Sequence, residues 1–253
     1  MDIDIICKGN GVFLRKVMAT DAPLLAQWKN EPLIREMEMY IMNLEIKPFT
    51  PELADDYFDF HENRAFLDHP EWSHCYCLAF CMQKTDDIEM SQEVKANGGG
   101  RAALHRALKT RAKKYVADRT LKGYVAYANG LLVGWCNAND KVVYTRFDFD
   151  EEVSNFIRNT GNGRIKAINC FCIAPEYRGK GVATALLERV CEDAKTDGYT
   201  AVEGYPRLHD KLDPFDYTGP TRLYEKAGFI MIAQQEKVVI MRKELELAFS
   251  DSL

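Results

Sequence analysis

The residues predict an α/β (α+β) protein, and three stretches carry that prediction. Ile165 to Ile173 is an apolar run of strand length that passes through a glycine-containing turn into a segment patterned as a helix. Gly123 to Ala128 and Leu131 to Asn137 flank Asn129-Gly130, a pair whose tolerance of positive φ makes it a strong hairpin signal. Phe229 to Ile232 and Lys237 to Met241 then read as a final antiparallel pair.

Composition sets the outer bounds. The chain has 253 residues, enough for one large domain or two small ones at roughly 150 residues each. Its 47% hydrophobic and 28% charged residues suit a folded globular protein and exclude disorder, collagen and a small disulfide scaffold. A net charge of −5, from 38 acids and 33 bases, gives no whole-surface attraction to nucleic acid or anionic lipid. No apolar stretch approaches the roughly 20 residues of a membrane helix. The N-terminal residues lack a signal-peptide pattern, so the expected location is cytoplasmic and the eight cysteines are expected to be reduced thiols.

Taken from the N-terminus, residues 1–43 form an extension with a strand at Val12 to Val17 and a helix opened by Thr20 or Asp21, with Pro23 in its first turn. A main domain is expected over 44–243 and a tail over 244–253. Leu44 to Phe49 reads as a strand, followed by a helix capped by Thr50 that starts at Pro51 and offers Tyr57, Phe58 and Phe60 for burial. The unbroken apolar run from Trp72 to Met82 is expected to be a strand covered on both faces. Residues 86–120 read as a helical insertion interrupted at Gly98 to Gly100, with Ala103, Leu104, Leu108 and Tyr115 as its apolar stripe. The insertion's many Lys and Arg residues read as a solvated face, because a nucleic-acid surface would interleave aromatics with them. Asp148 to Glu152 reads as an acidic linker and Gly161 to Gly163 as a turn.

Chemistry concentrates after Ile173. Ala183, Leu186, Leu187, Val190, Cys191 and Ala194 recur at helical spacing, and Asp197-Gly198 ends that helix. A helix start presents unsatisfied N–H groups to an anion, and Gly179 and Gly181 let a diphosphate approach without a Cβ in the way. Arg178 and Lys180 add full positive charges. The glycine spacing matches neither the dinucleotide fingerprint nor the P-loop.

What the residues do match is R-x-x-G-x-A at Arg178, Gly181 and Ala183, directly after an apolar strand. This resembles motif A of the GNAT superfamily of acyl-CoA-dependent N-acyltransferases. Gly219 to Ile232, GPTRLYEKAGFIMI, is similar to that family's motif B. The resemblance spans roughly residues 44–243 and implies a twisted mixed, mostly antiparallel sheet, flanked by helices and splayed where acetyl-CoA enters as co-substrate. It implies that the backbone of Phe171, Cys172 and Ile173 pairs with the pantetheine arm, that Arg178, Gly179, Lys180, Gly181, Val182, Ala183 and Thr184 hold the diphosphate, and that Tyr224 is the general acid for the departing thiolate. Tyr217 stands where the family often has an Asn that contacts CoA.

The implied reaction is acetyl transfer to a primary amine, with a small molecule as the expected acceptor and a peptide or protein amine as the alternative. An attacking amine must shed a proton, and Glu203 on the strand Thr200 to Gly204 is the candidate base, with His209 and Asp210 as second choices. Asp148, Asp150, Glu151, Glu152, Asp210, Asp213 and Asp216 could favour a cationic acceptor. His74, Cys75, Cys77 and Cys81 lack the paired spacing of a structural zinc site and are assigned to core packing, so no metal is expected. Trp72, Tyr76 and Trp135 are assigned to sheet packing. A thiol-sensitive activity follows if Cys170 or Cys172 faces the cofactor cleft. A non-catalytic acyl-CoA sensor and a nucleic-acid module remain as rival classes, and a homodimer is left open.

Overall fold

In the computed structural model the described residues are 5–9, 12–15, 43–148, 150–208 and 216–246. Met1–Met42 and Asn43–Leu253 are two compact units. In the first, β1 (Ile5–Gly9) pairs antiparallel with β2 (Val12–Arg15), so the expected strand at Val12 acquires an earlier partner. The helix expected from Thr20 or Asp21 lies outside the described residues, as do His209, Asp210 and Asp213.

The second unit is built on a seven-stranded sheet ordered β3-β4-β5-β6-β7-β9-β8. Its strands are β3 (Leu44–Pro48), β4 (Gly123–Ala128), β5 (Leu131–Asp140), β6 (Ile165–Ile173), β7 (Ala201–Gly204), β8 (Ile230–Gln235) and β9 (Val238–Glu244). Every neighbouring pair is antiparallel except β6 and β7. The sheet is therefore mixed and mostly antiparallel, with helices on both faces. The Asn129-Gly130 turn has φ of 52° and 79°, the conformation that matches the twist of a two-residue hairpin.

Successive residues of a strand point to opposite faces, and β5 shows what covers each. A Cβ on Gly134 would meet Val182, the first residue of α5 (Val182–Thr196). Next to it Trp135 packs edge-on against Tyr57 of α1 (Ala54–Asn63) at 4.8 Å between ring centroids. α5 buries Val182, Ala185, Leu186, Leu187, Val190, Cys191 and Ala194, nearly the stripe expected, although Ala183 is only half-buried. On the other face α1 buries Tyr57, Phe58 and Phe60. A single turn of 3₁₀ helix at Pro51–Leu53 precedes α1, and the Thr50 side chain makes no capping bond.

Three expectations give way. Trp72 to Met82 is not a strand: it forms 3₁₀ turns at Pro70–Trp72 and Leu78–Phe80, with positive φ at His74, Tyr76 and Cys77. Burial was legible in that apolar run but its conformation was not, since only period separates strand from other buried backbone. Tyr57 bolts it down by donating its hydroxyl to the Tyr76 carbonyl at 2.8 Å. Asp148 to Glu152 is no linker either. Asp150 caps α4 (Glu151–Asn159), accepting from the Glu152 and Val153 amides, and Val153 and Ile157 are buried beneath it. The insertion is a helix pair, α2 (Lys84–Ala96) and α3 (Gly100–Ala117), but α3 buries Ala103, Ala107, Ala112, Tyr115 and Val116, while Leu104 is exposed. Its cations are largely engaged within the fold: Lys109 pairs with Glu62, Arg111 with Glu93 and Lys114 with Asp86.

Trp135 is completely buried, touches Phe49 and Tyr57 edge-on, and donates its indole N–H to the Cys77 sulfur at 3.3 Å. Trp135→Ala is expected to cost about 3–5 kcal/mol of unfolding free energy, measured by denaturant titration.

Candidate active site

The site grows from one break in the sheet. β6 and β7 pair in register from Ile165↔Ala201 to Ile168↔Gly204, and then β7 ends while β6 continues to Ile173. At that point β6 carries a bulge: Asn137 pairs with Cys170 and Ala138 with Ile168, which leaves Asn169 without an opposite residue. Beyond the bulge the two faces of β6 differ in kind. Cys170 and Cys172 join the core cluster of Tyr57 and Trp135, whereas Phe171 turns to Tyr224, 6.4 Å between ring centroids. Both thiols are buried in that cluster. Asn169 is 1% exposed, and neither polar atom of its side chain has a partner among the described residues. A buried amide with no hydrogen bond costs about 1–3 kcal/mol, a penalty that water or a polar ligand at this position would relieve.

The free edge of β6 can be read amide by amide. Ala174 N–H reaches back to the Val133 carbonyl, and Cys172 lies opposite Trp135. Phe171 N–H points the other way, to the Tyr217 carbonyl at 2.6 Å, and the Ile173 carbonyl accepts from Arg178 Nε at 3.0 Å. Phe171 and Ile173 therefore present their backbone toward the opening, and Cys172, alternating with them, does not. Tyr217 thus meets β6 through its carbonyl, while its ring lies 5.9 Å from that of Phe80, and burial pushes its phenol up to about 12.

Past Ile173 a 3₁₀ turn at Pro175–Tyr177 leads to Gly179 and Gly181, with φ of 74° and 86°. That left-handed backbone delivers the chain into α5, whose first turn has no side-chain cap and no acid. The first amides of α5 are thus left to water or to an anion. A Cβ on Gly179 would meet nothing within 4 Å, so the turn is open on that side. Lys180 lies over the Tyr177 ring at 5.4 Å. Arg178 behaves differently from expectation. Its guanidinium bonds both oxygens of Asp68, at 2.5 and 3.3 Å, as well as the Ile173 carbonyl. Burial would raise the Asp68 carboxyl, but the Arg178 hydrogen bond and charge hold it below its ordinary value. Arg178 is a brace between the end of β6 and the 65–68 loop, not a free charge beside the turn.

Tyr224 belongs to α6 (Thr221–Lys226) and is completely buried. Its hydroxyl donates to the Thr218 carbonyl at 2.7 Å, and burial raises its pKa well above the ordinary phenol value. The ring lies where a Gly204 side chain would be, since a Cβ there would come within 2.1–2.5 Å of it. Only glycine at the end of β7 admits this tyrosine to the parting.

Glu203 is also completely buried, but its oxygens are committed. One accepts from Lys141 Nζ at 2.8 Å and from the Tyr205 hydroxyl at 3.0 Å, and the other faces Arg242 at 3.5 Å. Asp148 pairs with Arg207, Asp150 caps α4, Glu152 bonds Gln235 and Asp216 holds the Thr218 backbone, so much of the expected acidic field is consumed locally. Sequence reasoning missed Lys141, Arg242 and Asn169 in these roles. Only Asn169 left a signal, as a lone amide in an apolar strand.

Residues 119–231 match the family model for an acetyltransferase (GNAT) domain. Among solved structures, a GNAT-family acetyltransferase from Streptococcus pneumoniae is 18% identical, with TM-score 0.43 over 80% of this chain and 99% of that one. An N-acetyltransferase from Staphylococcus aureus is 12% identical, TM-score 0.42, over 80% and 99%. The PaiA N-acetyltransferase from Thermoplasma acidophilum, in complex with coenzyme A, is 14% identical, TM-score 0.41, over 79% and 98%. No curated protein matches the sequence. No helix among the described residues is long and apolar enough to cross a membrane.

Removing a carboxylate from a buried ion cluster strands its cations. Glu203→Gln is expected to lower stability by about 3–5 kcal/mol, read by denaturant unfolding, with Lys141→Met causing a comparable loss.

Proposed function

We propose that this chain, an acyltransferase carrying a GNAT acetyltransferase domain across residues 119–231, moves the acetyl group of acetyl-CoA to a primary amine of a small molecule by direct attack in a ternary complex. The observation that carries the reading is the parting of β6 from β7 directly beside the uncapped start of α5. One feature accepts an extended amide-bearing arm and the other a diphosphate.

Acetyl-CoA, when bound, supplies a thioester carbonyl and a thiolate leaving group. The amides of Val182, Ala183 and Thr184, with the turn Gly179 to Gly181 and the Lys180 ammonium, are the groups that would hold its diphosphate. Phe171 and Ile173 would pair with the pantetheine arm like an added strand, Phe171 N–H exchanging the Tyr217 carbonyl for a ligand carbonyl. The buried amide of Asn169 supplies one donor and one acceptor at the same opening.

Tyr224 is our choice for the group at the departing sulfur. Its proton is retained at all physiological pH, so its hydroxyl is a donor throughout, and release from the Thr218 carbonyl frees it to serve the thiolate. Glu203 has both oxygens engaged, by Lys141, Tyr205 and Arg242, and we assign it to joining β7 and β9 at the parting. The amine attacks as its free base and its proton passes to water. The aromatic rings of Tyr217 and Phe80 near the opening favour an amine carried on a compact organic body.

Mass spectrometry of products from acetyl-CoA and an amine library tests this reading. Acetylated small amines support it, products from peptide amines alone would reassign the acceptor, and saturable CoA binding without any product would leave a sensor. Tyr224→Phe is expected to lower kcat by about 10²–10⁴-fold with little change in KM for acetyl-CoA, checked by steady-state kinetics. Because burial raises the Tyr224 pKa, kcat/KM should climb with pH as the acceptor loses its proton. It should show no alkaline fall below about pH 10, the ordinary phenol value. Thr184→Glu, which sets a negative charge on the first turn of α5, should raise KM for acetyl-CoA by about tenfold or more while kcat at saturation is largely kept.

A further inference from the structure

Three groups that the reaction does not use converge on the α1 face of the sheet. His61 of α1, Cys75 and Cys77 offer one ring nitrogen and two sulfurs, all within 4.8 Å of one another. Sequence spacing concealed this, because the histidine comes from α1 rather than from the Cys75 segment, and His74 next to Cys75 is not the one that meets it. A fourth group is at hand: the Cys170 thiol of β6 is buried in the same core cluster as Cys77, outside the mutual 4.8 Å set.

The surroundings are those of a ligand set rather than of packing. His61 is completely buried, and its Nδ1 lies 3.0 Å from the Tyr57 carbonyl, which can only accept. Nδ1 therefore carries the proton and Nε2 the lone pair. Nε2 is buried with no partner among the described residues. A backbone carbonyl that fixes one nitrogen and leaves the other bare is the arrangement that orients metal-binding histidines. Trp135 Nε1 donates to the Cys77 sulfur at 3.3 Å and fixes where that sulfur sits. The segment that brings in Cys75 and Cys77 holds positive φ at His74, Tyr76 and Cys77, of 69°, 47° and 48°. Each such residue costs about 1–2 kcal/mol, which a cross-link through Cys75 and Cys77 would offset. Cys75 is an exposed residue, which gives an ion a way in.

We propose that His61, Cys75, Cys77 and Cys170 form a structural zinc site. Three sulfurs and one nitrogen select a borderline-soft divalent ion that takes four ligands tetrahedrally, with ligand atoms about 3.5–3.8 Å apart; His61, Cys75 and Cys77 already lie within 4.8 Å of one another, and Cys170 would turn in to complete the set. Binding one Zn²⁺ exchanges three thiol protons for the ion and leaves the neutral imidazole unchanged, so the protons appear in solvent. The ion would tie α1, the 73–81 segment and β6 together one residue away from Phe171. It stands apart from acetyl transfer and does not depend on it.

The test uses the full chain, reduced and stripped with a chelator, then titrated anaerobically with Co²⁺. The expected result is thiolate-to-cobalt charge-transfer absorption with intense tetrahedral d–d bands, saturating at one equivalent and bleached by one equivalent of Zn²⁺. Zn²⁺ should also raise the melting temperature and shield Cys75, Cys77 and Cys170 from alkylation in the native protein. Cys75→Ser, at an exposed position, should keep the fold by circular dichroism and weaken cobalt binding at least tenfold, while Cys191→Ser, on α5, should leave it unchanged. Weak octahedral cobalt spectra, undiminished binding in Cys75→Ser, a chelator-insensitive melting temperature with all thiols equally alkylated, or a disulfide among these cysteines would each overturn the assignment.

Discussion

The molecule depends on one broken partnership. A parallel strand pair is ordinarily buried and continuous, yet β6 and β7 share only four paired positions before β7 stops at Gly204. The Asn169 bulge falls at that boundary, and bulges both bend a strand and end its pairing. From there the edge of β6 has backbone groups that no strand satisfies, and the protein answers with the Tyr217 carbonyl and the Arg178 side chain. Each is a substitute for a missing strand. Under the proposed reading, the alternating amides of a pantetheine arm would be a better substitute.

Much of this arrangement could be read from residues alone. Strand β6, the β4–β5 hairpin, the α5 helix and the short α6 helix ending at Gly228 follow from period, from Asn129-Gly130 and from glycine at positive φ. Local rules sufficed because each of these elements is decided locally. The 72–82 run failed because hydrophobicity does not report backbone direction: it is a series of turns, with most of residues 76–82 buried and Trp72 and Cys75 exposed. Helix α4 was overlooked although its signal was present: Asp150 as cap, two glutamates in the first turn, then Val153, Phe156 and Ile157 on one face. Partnerships between distant residues left no trace in spacing. Lys141 and Arg242 stand 62 and 39 positions from Glu203, and Asp68 is 110 from Arg178.

Those distant charges change what the carboxylates and guanidinium groups can do. Composition suggested a free base at Glu203, a free cation at Arg178 and a broad acidic field around the acceptor. The fold instead engages most of these charges locally, and at buried Glu203 and Asp148 an unpaired charge would be costly. Under the proposed reading the diphosphate would then meet the backbone dipoles at the start of α5 and the Lys180 ammonium.

β6 has two lives on its two faces. Phe171 and Ile173 offer their backbone to the opening, while Cys170, one residue earlier, is buried in the same core cluster as Cys77. A strand whose edge is open on one side loses one of the two ladders that would otherwise fix its position, and β5 is the one strand paired with it after Ile168. Contacts made by Cys170 and Cys172 therefore set where the Phe171 amide sits. Trp135, opposite Cys172 in register and bonded to the Cys77 sulfur, carries the same constraint to β5. The packed aromatic and thiol side of the sheet is the reason that its other side can remain open.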